Sequence, residues 1–366
     1  MKLLIKPFWE IRMAFFMKKA TGIYLLLLVS WLSIGQWKTI PLNTIASFRA
    51  LKSYHKEIWA GGTKGTYIHS SDNGNTWEVK QVPGAGNLDF RDLVILNNKE
   101  IILMSAGPSE KGAAKLYKTN DGGQSWKVIL HINEPKYFFD AIAWDHKKGI
   151  GYLLSDPIDQ KFVLFKIQQN GAKIEQINLI DFPTLLPREA AFAASGSSIL
   201  WINNKLHIIS GGGHHARIFQ SKDHTLTSWR ISHASISADS TSGFFTIAAK
   251  SGTHFWVAGG NYLQSNSDEI PILESKNGGK NWKLLDVPIP KNYYIEKIIW
   301  SKPYWISTGP SGSYAFHSLL NQWKKLSQSN YHNIIATKHK IIGVAAKGQI
   351  GFLNKSDLDA LFLSKK

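Results

Sequence analysis

The chain of 366 residues contains no cysteine. This absence excludes disulfide bonds, thiolate nucleophiles, zinc sites with cysteine ligands and a lipoprotein anchor. Arginine is scarce as well, because it occurs only at positions 12, 49, 91, 188, 217 and 230, and lysine supplies most of the positive charge. Acidic residues number 26 against 43 lysines and arginines, which gives a formal net charge of +17. Such a balance favours anionic partners or surfaces and says nothing about the fold.

The first 35 residues have the pattern of a secretory targeting segment. Lys18 and Lys19 precede a short apolar run at 22–29, and small residues follow at 33–35. A basic start, an apolar core and a small-residue cleavage site are typical of a signal peptide. The run is short for a membrane-spanning helix, although an uncleaved anchor is an alternative. We expect export to the periplasm or outside the cell, with residues 36–366 forming one domain; Met13 or Met17 is an alternative start.

Long helical periodicity is absent from the rest of the chain, where short apolar segments alternate with Gly and Asn turns. This pattern predicts an all-β fold. Seven segments align as the first strand of a repeat, with spacings that suit a four-stranded antiparallel blade. They are residues 48–51, 90–93, 139–142, 188–191, 244–247, 295–298 and 331–334. The sequence therefore predicts a seven-bladed β-propeller, its ring closed by an N-terminal strand at 36–40 that joins the last blade.

Three short segments share a polar turn, a Gly, a small or amide residue and then a Trp. Asp or Asn can hydrogen-bond the nearby backbone, Gly supplies a positive φ, and the Trp buries its ring between blades. The pattern resembles the Asp box of the bacterial neuraminidase repeat, which occurs on the outer rim of β-propellers. That resemblance implies a structural role and no sialidase activity by itself. The residues are Asp72, Gly74 and Trp77; Asp121, Gly123 and Trp126; and Asn277, Gly279 and Trp282.

Several stretches together resemble the photosystem II stability and assembly factor family, in its non-photosynthetic bacterial branch. They are residues 90–93, 138–142, 154–157, 189–196 and 309–312, which cover most of the blades. The resemblance implies a propeller fold and an assembly role, since photosynthetic members bind membrane-protein partners. Members of the other branch often carry an oxidoreductase label without a stated chemistry. A photosystem role is not implied.

The first strand of each blade lines the central channel of a propeller, so the aligned inner positions form a candidate site. Ionisable groups that converge on a water-filled channel favour ligand binding. Arg49, Arg91 and Arg188 are the expected anion contacts, although Arg188 and Asp92 would point to the opposite faces of their strands. The alternative is that these charges pair with each other and solvate the channel. The inner positions are Arg49, Arg91, Asp140, Glu189, Phe245, Glu296 and His332.

An enzymatic alternative uses the same residues. Arg49, Arg91, Glu189, Asp140 and Tyr331 can be assigned to the arginine cluster, carboxylates and tyrosine of a sialidase. Against this, neither arginine is followed by the Pro of that family, and no Tyr nucleophile is identifiable. Paired carboxylates of a glycosidase would need a defined separation, which a sequence does not show.

Three other motifs have simpler interpretations. Residues 211–216 fit a dinucleotide-binding fingerprint, but that motif requires a following helix, and 217–221 read as a strand. His214 and His215 would point to opposite faces of a strand, which disfavours a metal site. Ser155 and Asp156 precede Pro157 and favour a turn.

We therefore expect an exported binding or assembly module, a monomer that recognises an envelope protein or an anionic glycan or small ligand at the channel mouth. Asp140, Glu189, Glu296 and His332 would set polarity there. The module would contact anionic membrane surfaces peripherally and would use no cofactor, metal or nucleic acid. An envelope enzyme, either a sialidase-like glycosidase or the labelled oxidoreductase, is the alternative.

Overall fold

The computed structural model describes residues 37–237, 240–263, 272–285 and 294–363, and every structural statement below concerns these residues. The targeting segment at 1–35 lies outside them, so export stays a prediction.

The described chain forms seven antiparallel sheets of four strands each. Blade 1 contains β2 (Phe48–Tyr54), β3 (Glu57–Gly62), β4 (Thr66–Ser70) and β5 (Glu78–Gln81), and blade 2 contains β6 (Asp89–Ile95), β7 (Ile101–Ala106), β8 (Lys115–Thr119) and β9 (Lys127–His131). Blade 3 contains β10 (Phe139–Asp145), β11 (Ile150–Ile158), β12 (Lys161–Gln168) and β13 (Lys173–Ile177), and blade 4 contains β14 (Ile199–Ile202), β15 (Lys205–Ile209), β16 (His215–Ser221) and β17 (Trp229–Ser237). Blade 5 contains β18 (Ser242–Ala249), β19 (Phe255–Asn261), β20 (Ile272–Ser275) and β21 (Lys283–Leu284), and blade 6 contains β22 (Lys297–Ser301), β23 (Tyr304–Gly309), β24 (Gly312–His317) and β25 (Gln322–Ser327). Blade 7 contains β26 (Asn333–Ala336), β27 (Lys340–Val344), β28 (Gln349–Asn354) and β1 (Lys38–Pro41). The seven-bladed propeller is confirmed.

Strands in the middle of a blade are more buried than those at its outer edge. All six residues of β7 are buried, whereas all four of β5 are exposed. A strand in the middle of a blade is covered on both faces by the neighbouring blades, so it is apolar along its whole length. The outermost strand meets solvent and carries polar residues.

The ring closes where the N-terminal strand joins the last blade. β1 pairs with β28 in antiparallel register from Lys38 opposite Phe352 to Pro41 opposite Gln349. Trp37, just before β1, packs its ring 4.3 Å from that of Tyr331, and its indole N–H donates to Ser313 Oγ of blade 6 at 2.9 Å. The predicted closure is confirmed, with the strand starting two residues later than expected.

A short helix, α1 (Lys355–Leu363), follows β28 and was not predicted. Leu358 and Phe362 bury one side of it against the cluster that holds Tyr304 and Tyr331. Among the described residues, no helix has the length and apolar character needed to cross a membrane.

The three repeated turns connect the third and fourth strands of blades 1, 2 and 5. In the first, Asp72 Oδ1 accepts from the backbone N–H groups of Asn75 (2.9 Å) and Thr76 (3.0 Å). Partial burial alone would raise the pKa of Asp72, but hydrogen bonds from Thr76, Ser70 and Asn75 hold it at about 2. Asp121 and Asn277 likewise accept from the backbone four residues on.

The glycines of these turns sit against the preceding blade. Gly74, Gly123 and Gly279 all have positive φ, at 79°, 87° and 79°. A Cβ on Gly123 would lie 2.8 Å from Tyr67 Oη of blade 1, and that hydroxyl already donates to the Gly123 carbonyl at 2.8 Å. Trp126 also packs its ring 5.3 Å from that of Tyr67. The turns therefore join neighbouring blades.

The predicted first strand of blade 4 was wrong. Residues 188–191 precede the blade, and its first strand is β14, which begins at Ile199. Arg188 has a φ of 65°, which an extended strand does not accept. Residues 190–198, which we call the central segment, instead cross the centre of the ring. Ala193, Ser195 and Gly196 of this segment hydrogen-bond residues at the inner ends of blades 1, 2, 6 and 7.

Candidate functional site

Four of the innermost strands, β2, β6, β10 and β18, carry a β-bulge at the same position. The register skips one residue directly after Phe48, Phe90, Phe139 and Phe244, and these four phenylalanines are fully buried. A bulge leaves its extra residue unpaired and re-aims that side chain. The extra residues are Arg49, Arg91, Asp140 and Phe245.

These four side chains line one cavity of about 490 Å³, which we call the mouth cavity. The central segment forms another part of its wall through residues 190–194. Aromatic rings and ionisable groups both line it. The remaining lining residues are Phe138, Asp156, Tyr262, Tyr294 and Glu296.

Arg49 and Arg91 are the two cations of the mouth cavity, with side chains 27% and 33% exposed. Arg49 Nη1 lies 3.7 Å from Glu296 Oε1, which is an ion pair without a close hydrogen bond. Arg91 donates from Nε to Asp89 Oδ2 at 2.8 Å and from Nη1 to the Ala193 carbonyl at 3.2 Å. A guanidinium has five N–H groups, so within the described chain both arginines keep donors for a ligand.

Asp140 and Asp156 form an interacting carboxyl pair in the same cavity. Burial, followed by the charge of Asp156, holds the pKa of Asp140 well above its usual range, and Arg91 opposes the shift. Burial also raises the pKa of Asp156 to about 6. Asp140 Oδ2 is buried and has no hydrogen-bond partner among the described residues. The predicted turn at Asp156 was wrong, because this residue belongs to β11 and lines the cavity.

Glu296 connects the cavity to His332. Its Oε2 is 2.9 Å from His332 Nδ1, and its Oε1 accepts from the Tyr294 hydroxyl at 3.2 Å. Burial first, and then Glu296, raise the pKa of Tyr294. His332 is buried behind Glu296, so it positions that carboxylate and is not part of the cavity lining.

Besides His332, two further residues predicted at the channel mouth, Glu189 and Arg188, do not line the cavity. Glu189 is buried in a pair with Arg217, which donates to both carboxylate oxygens. Arg188 is exposed and does not line the mouth cavity. Both residues were expected in the cavity because the first strand of blade 4 had been predicted at 188–191, whereas it begins at Ile199. Tyr331, assigned above to a sialidase tyrosine, is fully buried against Trp37 and is likewise outside the cavity.

The glycine-rich motif at 211–216 and the candidate metal ligands can also be compared with the structure. Residues 211–216 lead into the strand β16, so the helix that a dinucleotide fingerprint requires is not present there, as the sequence indicated. Among the described residues, no three His, Asp or Glu side chains come together in a group that could hold a metal ion.

Sequence reasoning missed Asp89, Asp156, Tyr294 and Arg217. A signal for the bulges was nevertheless present, because a Phe followed by the cavity residue recurs in four blades. The partners of Glu189 and Asp140 carried no comparable signal, since they belong to other strands.

The fold places the chain among seven-bladed β-propellers with an open, charged mouth. No protein-family model matches the chain, and no curated protein matches it. Among solved structures it is similar to YCF48 from Cyanidioschyzon merolae, with a TM-score of 0.64 and 14% identity over 88% of this chain and 99% of that one. It is also similar to Sqt1 from Saccharomyces cerevisiae, with a TM-score of 0.54 and 10% identity over 87% and 98% of the two chains.

A second YCF48 structure, bound to a D1 peptide, aligns with a TM-score of only 0.42 and 16% identity over 88% and 96% of the two chains, and it supports no argument here. YCF48 is a photosystem II assembly factor, so the fold implied by the sequence resemblance is confirmed. At these identities the likeness establishes the fold alone, and the bacterial branch stays a prediction.

Proposed function

We propose that this chain is an exported protein-binding or assembly module whose partner places an anionic group in the mouth cavity. The observation that carries the proposal is the pair of bulges that direct Arg49 and Arg91 into this open cavity. Guanidinium groups bind carboxylates and phosphates through forked hydrogen bonds. Export rests on the sequence of the first 35 residues, and cell fractionation tests it.

The rim of the cavity also suits a protein partner. Tyr262 lines the cavity and is 47% exposed, and its neighbour Leu263 is 71% exposed. An apolar contact beside anchoring arginines is a common composition of protein interfaces. The assembly role itself comes from the sequence resemblance, and the net charge of +17 would favour anionic envelope surfaces.

The test is an affinity capture from solubilised envelopes, followed by affinity measurements with the purified captured protein. The double variant Arg49→Gln/Arg91→Gln should bind that protein roughly 30-fold more weakly or worse, because two charged contacts are lost. Arg188→Gln is the matched control, since this arginine is exposed and outside the cavity. Equal affinity of the double variant and the wild type would overturn the proposal.

The Asp140–Asp156 pair favours a second candidate function, hydrolysis of an anionic glycoside. A carboxyl that retains its proton near neutral pH can act as a general acid beside an ionised partner. In that case Asp156→Asn should reduce hydrolysis by about 100-fold or more while partner binding is retained. Hydrolysis that survives in Asp156→Asn, or that is absent from the wild type with anionic glycosides, would exclude this candidate.

A further inference from the structure

The channel contains a second cavity at the end opposite the mouth, which we call the lower cavity. Its volume is about 460 Å³, and it shares no lining residue with the mouth cavity. It is lined by the later residues of β2, β6, β10 and β18 and by residues of β22 and β26. The bulge residues of the first four of these strands face the mouth. The central segment lies between the two, because Ala193 and Ala194 line the mouth while Ser195 and Gly196 contact lysines of the lower cavity.

Every titratable side chain that lines the lower cavity is a base. These residues are Lys52, His146 and Lys297, and no carboxylate is among the described lining residues. The nearest acid is Asp92, which lies 3.2 Å from Lys52 Nζ and is fully buried. Its oxygens already accept from the backbone N–H groups of Leu93 and Ile142, both at 2.8 Å. Asp92, whose oxygens are already hydrogen-bonded, is therefore the acid whose charge acts on both lysines.

The two lysines are held loosely. Lys297 Nζ is 3.4 Å from the Ser195 carbonyl, and Lys52 Nζ is 3.4 Å from the Gly196 carbonyl. These distances exceed those of good N–H···O bonds, and an ammonium group has three donors. Burial, reinforced by the charge of Lys52, lowers the pKa of Lys297 to about 7 against the opposing effect of Asp92. Among the described residues, no carboxylate lies within ion-pair distance of Lys297 Nζ, and Asp92 acts on it only from further away.

Apart from Ser53, the other lining residues are aliphatic or aromatic. Aliphatic side chains such as Ile299 and Ile335 surround the lysines, and Trp144 and Trp300 add two indole rings. The volume lies in the range of roughly 300–1,000 Å³ that is usual for small-molecule sites. Aliphatic side chains and indole rings beside two lysine ammonium groups suit a molecule with an apolar body and an anionic head.

We propose that the lower cavity binds an amphipathic organic anion, with its carboxylate between Lys52 and Lys297 and its apolar body against the walls. The site is independent of the mouth cavity and of the partner proposed there.

Titration calorimetry with dodecanoate, compared with dodecyltrimethylammonium of the same chain length, tests the site. The carboxylate should bind at least 10-fold more tightly than the cation, and Lys52→Met and Lys297→Met should each weaken its binding by about 10-fold, as expected for a lost charged contact. Arg49→Gln, which changes the mouth cavity alone, should leave the affinity unchanged. Absence of dodecanoate binding, equal binding of both amphiphiles, or binding unaffected by the lysine variants would overturn the proposal.

Proton uptake provides a second readout. Because its pKa is lowered to about 7, Lys297 should be mostly neutral at pH 8. An anion bound beside it should then draw a proton from the buffer, and the observed heat should depend on the buffer's ionisation enthalpy. Lys297→Met should abolish this dependence. If a lysine variant fails to fold, Ile335→Trp fills the cavity without changing its charge and should prevent binding. Normal binding to a folded Ile335→Trp would contradict the assigned location.

Discussion

Arg217 donates hydrogen bonds to both oxygens of the buried Glu189 carboxylate. Its Nε donates to Oε1 at 2.8 Å and its Nη2 donates to Oε2, while the side chains are 5% and 0% exposed. Ser210 Oγ and the backbone N–H of Leu186 also donate to the carboxylate, at 2.5 and 2.8 Å. Glu189 thus fastens the loop before blade 4 to the strand β16 and has no acceptor left for a ligand.

The buried pair makes Glu189 a stability residue. Glu189→Ala leaves the Arg217 guanidinium buried without its anion, and we expect the free energy of unfolding to fall by about 3–5 kcal/mol. Urea denaturation measures this change. Arg188→Ala, at the exposed neighbouring position, should change stability by no more than about 0.5 kcal/mol. A Glu189→Ala variant as stable as that control would show that the pair does not hold the loop.

The pKa of Asp156 makes stability depend on pH. The folded chain keeps a proton on Asp156 up to about pH 6, whereas the unfolded chain releases it near pH 4. The stabilising contribution is therefore complete below about pH 4 and is lost as the pH rises through 6. Between pH 4 and pH 7, the free energy of unfolding of Asp156→Asn should rise relative to that of the wild type by on the order of 2 kcal/mol. The gain is smaller where water in the cavity screens the charge.

Denaturation at a series of pH values checks the Asp156 prediction. Asp140 interacts with Asp156, so the two carboxyls titrate together and the transition will be broad. Asp159→Asn, on an exposed turn of the same blade, is the control and should follow the wild-type curve. Parallel curves for Asp156→Asn and the wild type would contradict the raised pKa.

The second repeated turn offers a matched pair of glycines. Gly122 and Gly123 both have positive φ, but a Cβ on Gly122 would meet only Asn98 O at 4.0 Å, whereas one on Gly123 would meet Tyr67 Oη at 2.8 Å and Trp59 at 3.1 Å. Gly122→Ala should cost about 1–2 kcal/mol for the left-handed backbone alone. Gly123→Ala should cost about 1–3 kcal/mol more, because it also separates two blades. Thermal or urea unfolding measures both, and equal losses would show that the turn does not act on blade 1.

Trp37 links the closing strand to blade 6. Trp37→Ala removes its ring contact with Tyr331 and its hydrogen bond to Ser313, so unfolding free energy should fall by about 3–5 kcal/mol. Ile45→Ala is the control, because Ile45 is close in sequence and 72% exposed. Comparable losses in both variants would indicate that Trp37 does not secure the closure.

The sequence predicted what depends on local pattern. The blades, the turns around Gly74, Gly123 and Gly279, and the closing strand all follow from short-range signals of apolar runs and turn residues. The first strand of blade 4 was wrongly predicted at 188–191. The conformation there depends on the pairing of Glu189 with Arg217, which lies 28 positions away and which no local pattern indicates. Four residues predicted at the channel mouth, Arg49, Arg91, Asp140 and Glu296, line the mouth cavity. Asp156 was missed because it enters the cavity from β11, the second strand of its blade.

Because β1 closes the ring, blade 7 is built from an early strand and three late strands of the chain. Lys38 of β1 pairs with Phe352 of β28, near the other end of the chain, so blade 7 cannot be finished until almost the whole chain is available. Before that moment β28 presents an open edge of backbone donors and acceptors, which any compatible strand can occupy. The β1 strand of a second copy has the matching sequence and register. Loss or delay of the chain's own β1 should therefore produce strand-exchanged oligomers rather than an unfolded monomer.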